Sequence, residues 1–222
     1  MATWYRGRGV DDLALPWFRS GSRWVFVASE ILLARASRAV TRSFFPAIAA
    51  LDVPRGSLPA DDALAILKNM AEGVGRSTRA DQLGELAGQM ADAPDALWSP
   101  TIDRTALPTI PASIADLAEL AVPTTDENGL ESEEPILTGK GILRVASRFL
   151  GNDVDKRNKL TDGRLAVARL VGIGEESRDA QLGLIELAAS VCTIDQPRCS
   201  MCPLSDHCAY VNDKRDEPTS LF

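Results

Sequence analysis

Cys192-Thr193-Ile194-Asp195-Gln196-Pro197-Arg198-Cys199-Ser200-Met201-Cys202-Pro203-Leu204-Ser205-Asp206-His207-Cys208 contains every cysteine of the 222-residue chain. The four thiols are separated by six, two and five residues. Four cysteines in one stretch, with none elsewhere, serve a single purpose: one metal centre or two disulfides. Thiolates are soft ligands that select zinc or iron–sulfur, and a four-iron cubane takes four of them from a compact loop. The C-x2-C pair sets two sulfurs on one side, and the longer gaps carry the chain round the other corners. Pro197 and Pro203 stiffen the turns by fixing φ. Four-cysteine zinc sites usually come as two close pairs with a longer spacer, and only one close pair is present here. Disulfides suit small secreted domains, whereas Met1 to Val10 is polar, carries Arg6 and Arg8, and reads as no secretory leader. Spacing alone ranks iron–sulfur first, zinc second and disulfides third, and leaves all three open. His207, the only histidine, reads as a surface residue because four cysteines already complete a cubane.

Working outward, 222 residues suffice for one large or two small domains with a real core. Aromatic content is only 5%, and Ala and Leu are abundant, which favours helices. No apolar run reaches the roughly 20 residues of a membrane span, so no membrane partner is expected. Thiols without a secretory context fit a reducing cytosol. The formal charge of −7 and pI of about 4.8 oppose an extended nucleic-acid surface, since phosphate binding draws on Lys and Arg. Any DNA-facing surface must be a local basic patch on an acidic body.

Trp24 to Phe45 is apolar and lacks Gly and Pro, which predicts one long helix. Arg35, Arg38 and Arg42 recur at spacings of three and four and would line one edge of it, as a solvated edge or a phosphate-facing stripe. Glu30 is the unusual residue, a carboxylate inside the apolar run. Burial raises a carboxyl pKa, and a raised pKa suits a general acid that holds its proton near neutrality. The bland reading pairs Glu30 with Arg23 or Arg35. Further helices are expected from Asp61 to Glu72, Arg79 to Met90, Ser113 to Val122, Gly141 to Leu150, Asp162 to Val171 and Asp179 to Cys192. Asp92 to Pro111 reads as a proline-broken loop, and the tail from Asn212 to Phe222 as frayed. Glu186 reads as a buried capping or bridging carboxylate, and Gly183 and Ala188 as sites of close helix packing.

The pattern C-x6-C-x2-C-x5-C, following a helix and holding the Cys202-Pro203 step, resembles the [4Fe-4S] motif of the helix-hairpin-helix DNA glycosylase superfamily. That superfamily includes endonuclease III, MutY-type adenine glycosylases and thymine-mismatch glycosylases. Leu15-Pro16-Trp17 and Ser29-Glu30-Ile31-Leu32-Leu33 resemble segments of its mismatch-specific members. Pro135-Ile136-Leu137-Thr138-Gly139-Lys140 is similar to the step that carries their catalytic aspartate. The resemblance implies Cys192, Cys199, Cys202 and Cys208 as ligands of a [4Fe-4S] cluster. It also implies Glu30 as the residue facing a flipped base, and Arg35, Arg38, Arg42, Lys140 and Arg198 as contacts to double-stranded DNA. Two departures stand out. Thr138 occupies the aspartate's position, where a hydroxyl cannot supply negative charge, so Asp126 or Asp153 would have to substitute. The hairpin glycines give way to the acidic segment Val122 to Glu134, and Asp126 to Glu134 contains no lysine, so lyase chemistry is not expected.

The implied fold is all-α and two-lobed, helix-hairpin-helix glycosylase-like, with a C-terminal iron–sulfur cluster loop. Residues 23–134 would form a central helical lobe with a degenerate hairpin region, and residues 1–22 with 135–222 the cluster lobe. The implied function is a monofunctional DNA N-glycosylase acting on damaged, mismatched or modified bases, as a cytoplasmic, nucleoid-associated monomer. One alternative is a DNA-recognition protein that keeps the fold and cluster without catalysis. A weaker one is a cluster-bearing interaction subunit that does not bind DNA.

Overall fold

The computed structural model describes residues 1–131 and 133–216. It is helical, and among the described residues the only strand-like pairing is one isolated antiparallel bridge between Thr125 and Glu131. No described helix is long and apolar enough to cross a membrane. The chain divides into two units, one of Leu15–Pro135 and one of Met1–Ala14 with Ile136–Phe222.

The Leu15–Pro135 unit is built round α2 (Arg23–Leu33), which packs against three helices of the same unit: α3 (Arg38–Ala50), α5 (Ser77–Asp92) and α6 (Ala112–Ala121). Every residue of α2 except Glu30 is buried. A helix apolar on nearly all sides belongs in a core. Ser22 caps its N-terminus by accepting the Val25 N–H at 3.2 Å. Arg23, fully buried, donates to the carbonyls of Val122 (2.9 Å), Leu97 (3.0 Å), Pro100 (3.0 Å) and Ser99. Those carbonyls offset the cost of a buried guanidinium, although burial still pulls its pKa down to about 10. α4 (Asp61–Gly73) pairs with α5 across a turn at Gly75, whose φ is 71°. The expected loop between α5 and α6 is irregular, yet it supplies core: Leu97 and Leu107 are fully buried and Ile110 nearly so.

Three expectations are corrected. Trp24 to Phe45 is not one helix. Arg35 breaks it at φ 62°, and Ser37 starts α3 by accepting the Val40 N–H at 3.3 Å. The serine N-cap satisfies donors that continuation would otherwise have used, while α3 itself tolerates Pro46 and runs on to Ala50. The boundary near residue 22 lies instead at Ala14/Leu15. Trp17 and Phe18 pack onto Phe45 and Phe26, at ring separations of 6.3 and 5.2 Å, which ties residues 15–22 to α2 and α3. Asn212 to Asp216 are helical, within α10 (Ala209–Asp216); the rest of the expected frayed tail lies outside the described residues.

The other unit is held by α9 (Ser177–Ser190), which packs against α1 (Ala2–Arg6), α7 (Lys140–Leu150) and α8 (Arg164–Val171). Close approach needs small residues here. A Cβ on Gly183 would meet Met1 Cγ at 2.9 Å and Tyr5 Cβ at 3.2 Å, and one on Gly141 would meet the Ala188 Cβ at 3.0 Å. Glu186 is buried and accepts the Ala14 N–H with both oxygens, at 3.0 and 3.1 Å. The expected bridging carboxylate is thus realised as a cap on the N-terminal segment.

Candidate active site and cysteine centre

Glu30 is the single opening in the wall of α2. The Trp17 indole N–H donates to its Oε1 at 2.8 Å, and the charge of Arg79 also acts on it. Burial raises the Glu30 pKa above the ordinary carboxylate value, while the Trp17 bond and the Arg79 charge pull the other way. The expected partners are therefore replaced. Arg23 is committed to backbone carbonyls, and Trp17, thirteen positions earlier in the chain, orients the carboxylate.

The C-terminal end of α2 collects cations. Arg76 Nη1 donates to the carbonyls of Leu32 (2.8 Å) and Ala34 (3.2 Å), and Arg79 Nη1 to that of Ile31 (2.7 Å). These bonds satisfy carbonyls that a helix end leaves without partners. Arg35 follows directly, exposed. Burial lowers the Arg79 pKa, and the Arg76 and Arg35 charges lower it further. Arg38 and Arg42 are exposed on α3, so the three predicted arginines do not form a stripe on one helix. The sequence reading named Arg79 only as the start of a helix and did not single out Arg76; their spacing of three was the one signal that they could act together.

Thr138 is half-buried, immediately before Gly139, the N-cap of α7, and Lys140 is exposed as the first residue of that helix. Neither candidate substitute carboxylate stands ready. Asp126 is half-buried and accepts the N–H groups of Asn128 and Leu130, both at 2.8 Å. Those bonds hold its carboxyl below the usual range. Asp153 pairs with Lys156 at 3.0 Å. Between α6 and α7 the chain makes this tight Asp126–Gly129 turn, with Gly129 at φ 77°.

Cys192, Cys199, Cys202 and Cys208 line one small pocket with Val145 and Leu187. No disulfide joins any of them. The Cys202 thiol pKa is raised, chiefly by burial and further by each of the other three. Among the described residues no three His, Cys, Asp or Glu side chains converge closely enough to hold one metal ion. Two arginines one helical turn apart on α7 clasp the loop. Arg144 donates to the carbonyls of Cys192 and Ala188, both at 3.0 Å. Arg148 donates to Thr193 and Ile194 carbonyls at 2.6 Å and to the Cys192 Sγ at 3.4 Å, and lies over the Tyr210 ring at 5.1 Å. Arg198 and His207 are exposed on the loop.

No protein-family model matches the chain. The solved structure of a thermostable thymine-DNA glycosylase shares the fold, with a TM-score of 0.61 at 22% identity over 96% of this chain and 93% of that one. The thymine/uracil-DNA glycosylase of Methanothermobacter thermautotrophicus is 29% identical over 68 residues, 31% of each chain. Nearly full-length similarity extends to two further proteins. The thymine/uracil-DNA glycosylase of Pyrobaculum aerophilum is 27% identical over 96% of this chain and 90% of its own. The thymine-DNA glycosylase of Aeropyrum pernix is 27% identical over 95% of this chain and 92% of its own.

Proposed function

We propose that this protein is a DNA N-glycosylase that removes damaged, mismatched or modified bases from double-stranded DNA, with Glu30 as its proton donor. The observation that carries the catalytic reading is the environment of Glu30, the one unburied residue of a core helix, oriented by Trp17 and with a raised pKa. Near-full-length similarity to thymine- and uracil-DNA glycosylases supports the reaction class and makes thymine and uracil the first bases to test. Glu30 donates its proton to the departing base as the C1′–N bond breaks. Water then adds its oxygen to C1′, and a water-derived proton returns to Glu30. An extruded nucleotide is required because a stacked base cannot reach a side chain. With Thr138 at the resembled aspartate position, the positive charge that develops on the sugar has no dedicated carboxylate there.

The same reading assigns Cys192, Cys199, Cys202 and Cys208 to a [4Fe-4S] cluster. A cubane takes one thiolate per iron, and four thiols that surround a shared pocket suit that donor set. When bound, the group would clasp the Cys192–Cys208 loop as a structural centre. Arg144 and Arg148 hold the segment of the first ligand, Cys192 and Thr193, against α7.

Duplexes carrying T:G, U:G, A:G or alkylated bases, incubated with the protein and then treated with alkali, test the proposal. Strand cuts that appear only after alkali and fall at least 100-fold in Glu30→Gln, an order of magnitude typical of acid–base catalysis, are expected. No cuts across the panel, with DNA binding retained, would leave the non-catalytic recognition protein that Thr138 favours.

A further inference from the structure

We propose that Arg35, Arg76 and Arg79 form a phosphodiester site at the C-terminal end of α2 that holds a DNA backbone phosphate beside the nucleotide presented to Glu30. The identity of the ligand rests on the DNA reading above; the site itself rests on geometry. The carbonyls of Ile31 and Leu32 in the last turn of α2, and of its C-cap Ala34, receive Arg79 and Arg76. Both guanidiniums are thereby fixed within one turn of Glu30. Each carries five N–H donors, and the bonds to α2 use only Nη1. A helix C-terminus ordinarily repels anions; here its carbonyls are covered by cations, so the end is positive.

Arg35 strengthens the inference independently. It is the only non-glycine described at positive φ, 62°. That backbone favours Gly or Asn, and strained residues that persist mark functional sites. Its side chain is exposed. The three charges are near enough for Arg35 and Arg76 to depress the Arg79 pKa. Among the described residues, none of the three has a carboxylate within ion-pair distance. A phosphate seated among them would relieve that repulsion.

Duplex binding measured against salt concentration tests the site. Arg35→Asn suits the left-handed backbone and removes one cation. Its affinity is expected to fall about five- to ten-fold near 0.1 M salt, with the log–log salt slope shallower by about 0.9. The loss should be equal for matched and mismatched duplexes, as a phosphate contact requires, and Arg35→Lys should keep the slope. The arginine Nε–Hε resonances should move with duplex and stay in place with inorganic phosphate at equal ionic strength. An unchanged slope in both Arg35→Asn and Arg35→Asn/Arg76→Gln, or resonances that answer to inorganic phosphate but not duplex, overturns the site. Slope loss in a protein that excises no base leaves the site standing and removes the glycosylase reading. Absence of any duplex binding overturns both.

Discussion

Glu30 was legible in the sequence as a carboxylate among apolar residues, but its partners were not. Trp17 lies in another segment, and Arg79 comes from α5. Because the indole N–H can only donate, it must meet a lone pair on Oε1. Trp17→Phe removes a hydrogen bond that favours the charged form over the neutral one, so the Glu30 pKa should rise further. Carbon-13 NMR titration of glutamate-labelled protein reads that shift directly. For a proton donor, the alkaline limb of the excision profile should move up in pH with it. A pKa that stays put or drops would show that the Trp17 bond does not set the carboxyl's ionisation.

At the scale of elements, caps decided what periodicity could not. An apolar run without Gly or Pro predicts continuity, yet Ser37 and the left-handed Arg35 divide it into α2 and α3. Ser37→Ala should cost about 1 kcal/mol of stability, measured by the urea midpoint. Gly151 ends α7 at φ 67°, and a Cβ there would meet the Ala209 Cβ of α10 at 2.8 Å. Gly151→Ala combines backbone strain with overpacking and should cost more than about 1 kcal/mol. Helix-period patterns located α4 through α9 to within a few residues; α4 and α5 each bury one face, at Leu67 and Ala71 and at Ala80, Leu83, Leu86 and Met90. The loop of residues 93–111 was recognised as irregular, but its core anchors Leu97 and Leu107 follow no period that a sequence displays.

For the whole molecule, raised carboxyls set the pH response. The folded state raises the pKa of Glu30 and of Glu119, both chiefly by burial, so it binds protons more tightly than the unfolded chain. Their contribution to stability is fully present below the ordinary glutamate pKa and is lost as pH rises through the raised values. Urea midpoints should therefore decline over that interval, and Glu30→Gln, which stays neutral, should flatten part of the decline. A cluster at the four cysteines predicts brown protein with iron and acid-labile sulfide. Cys199→Ser should abolish both and raise hydrogen exchange across residues 192–208, while α2 keeps its protection.

The sequence by itself determined the helical class, the gathering of all four cysteines in one stretch and the isolated acid in α2, because composition, residue spacing and a polar residue in an apolar run are local properties. Tertiary structure alone decided which side chains meet: Trp17 with Glu30, Arg76 and Arg79 on the end of α2, Arg148 on the Cys192 sulfur. Those encounters join residues far apart in the chain, and nothing in the spacing of either partner encodes the other. Only packing of the helices around a common core brings such groups within hydrogen-bonding reach.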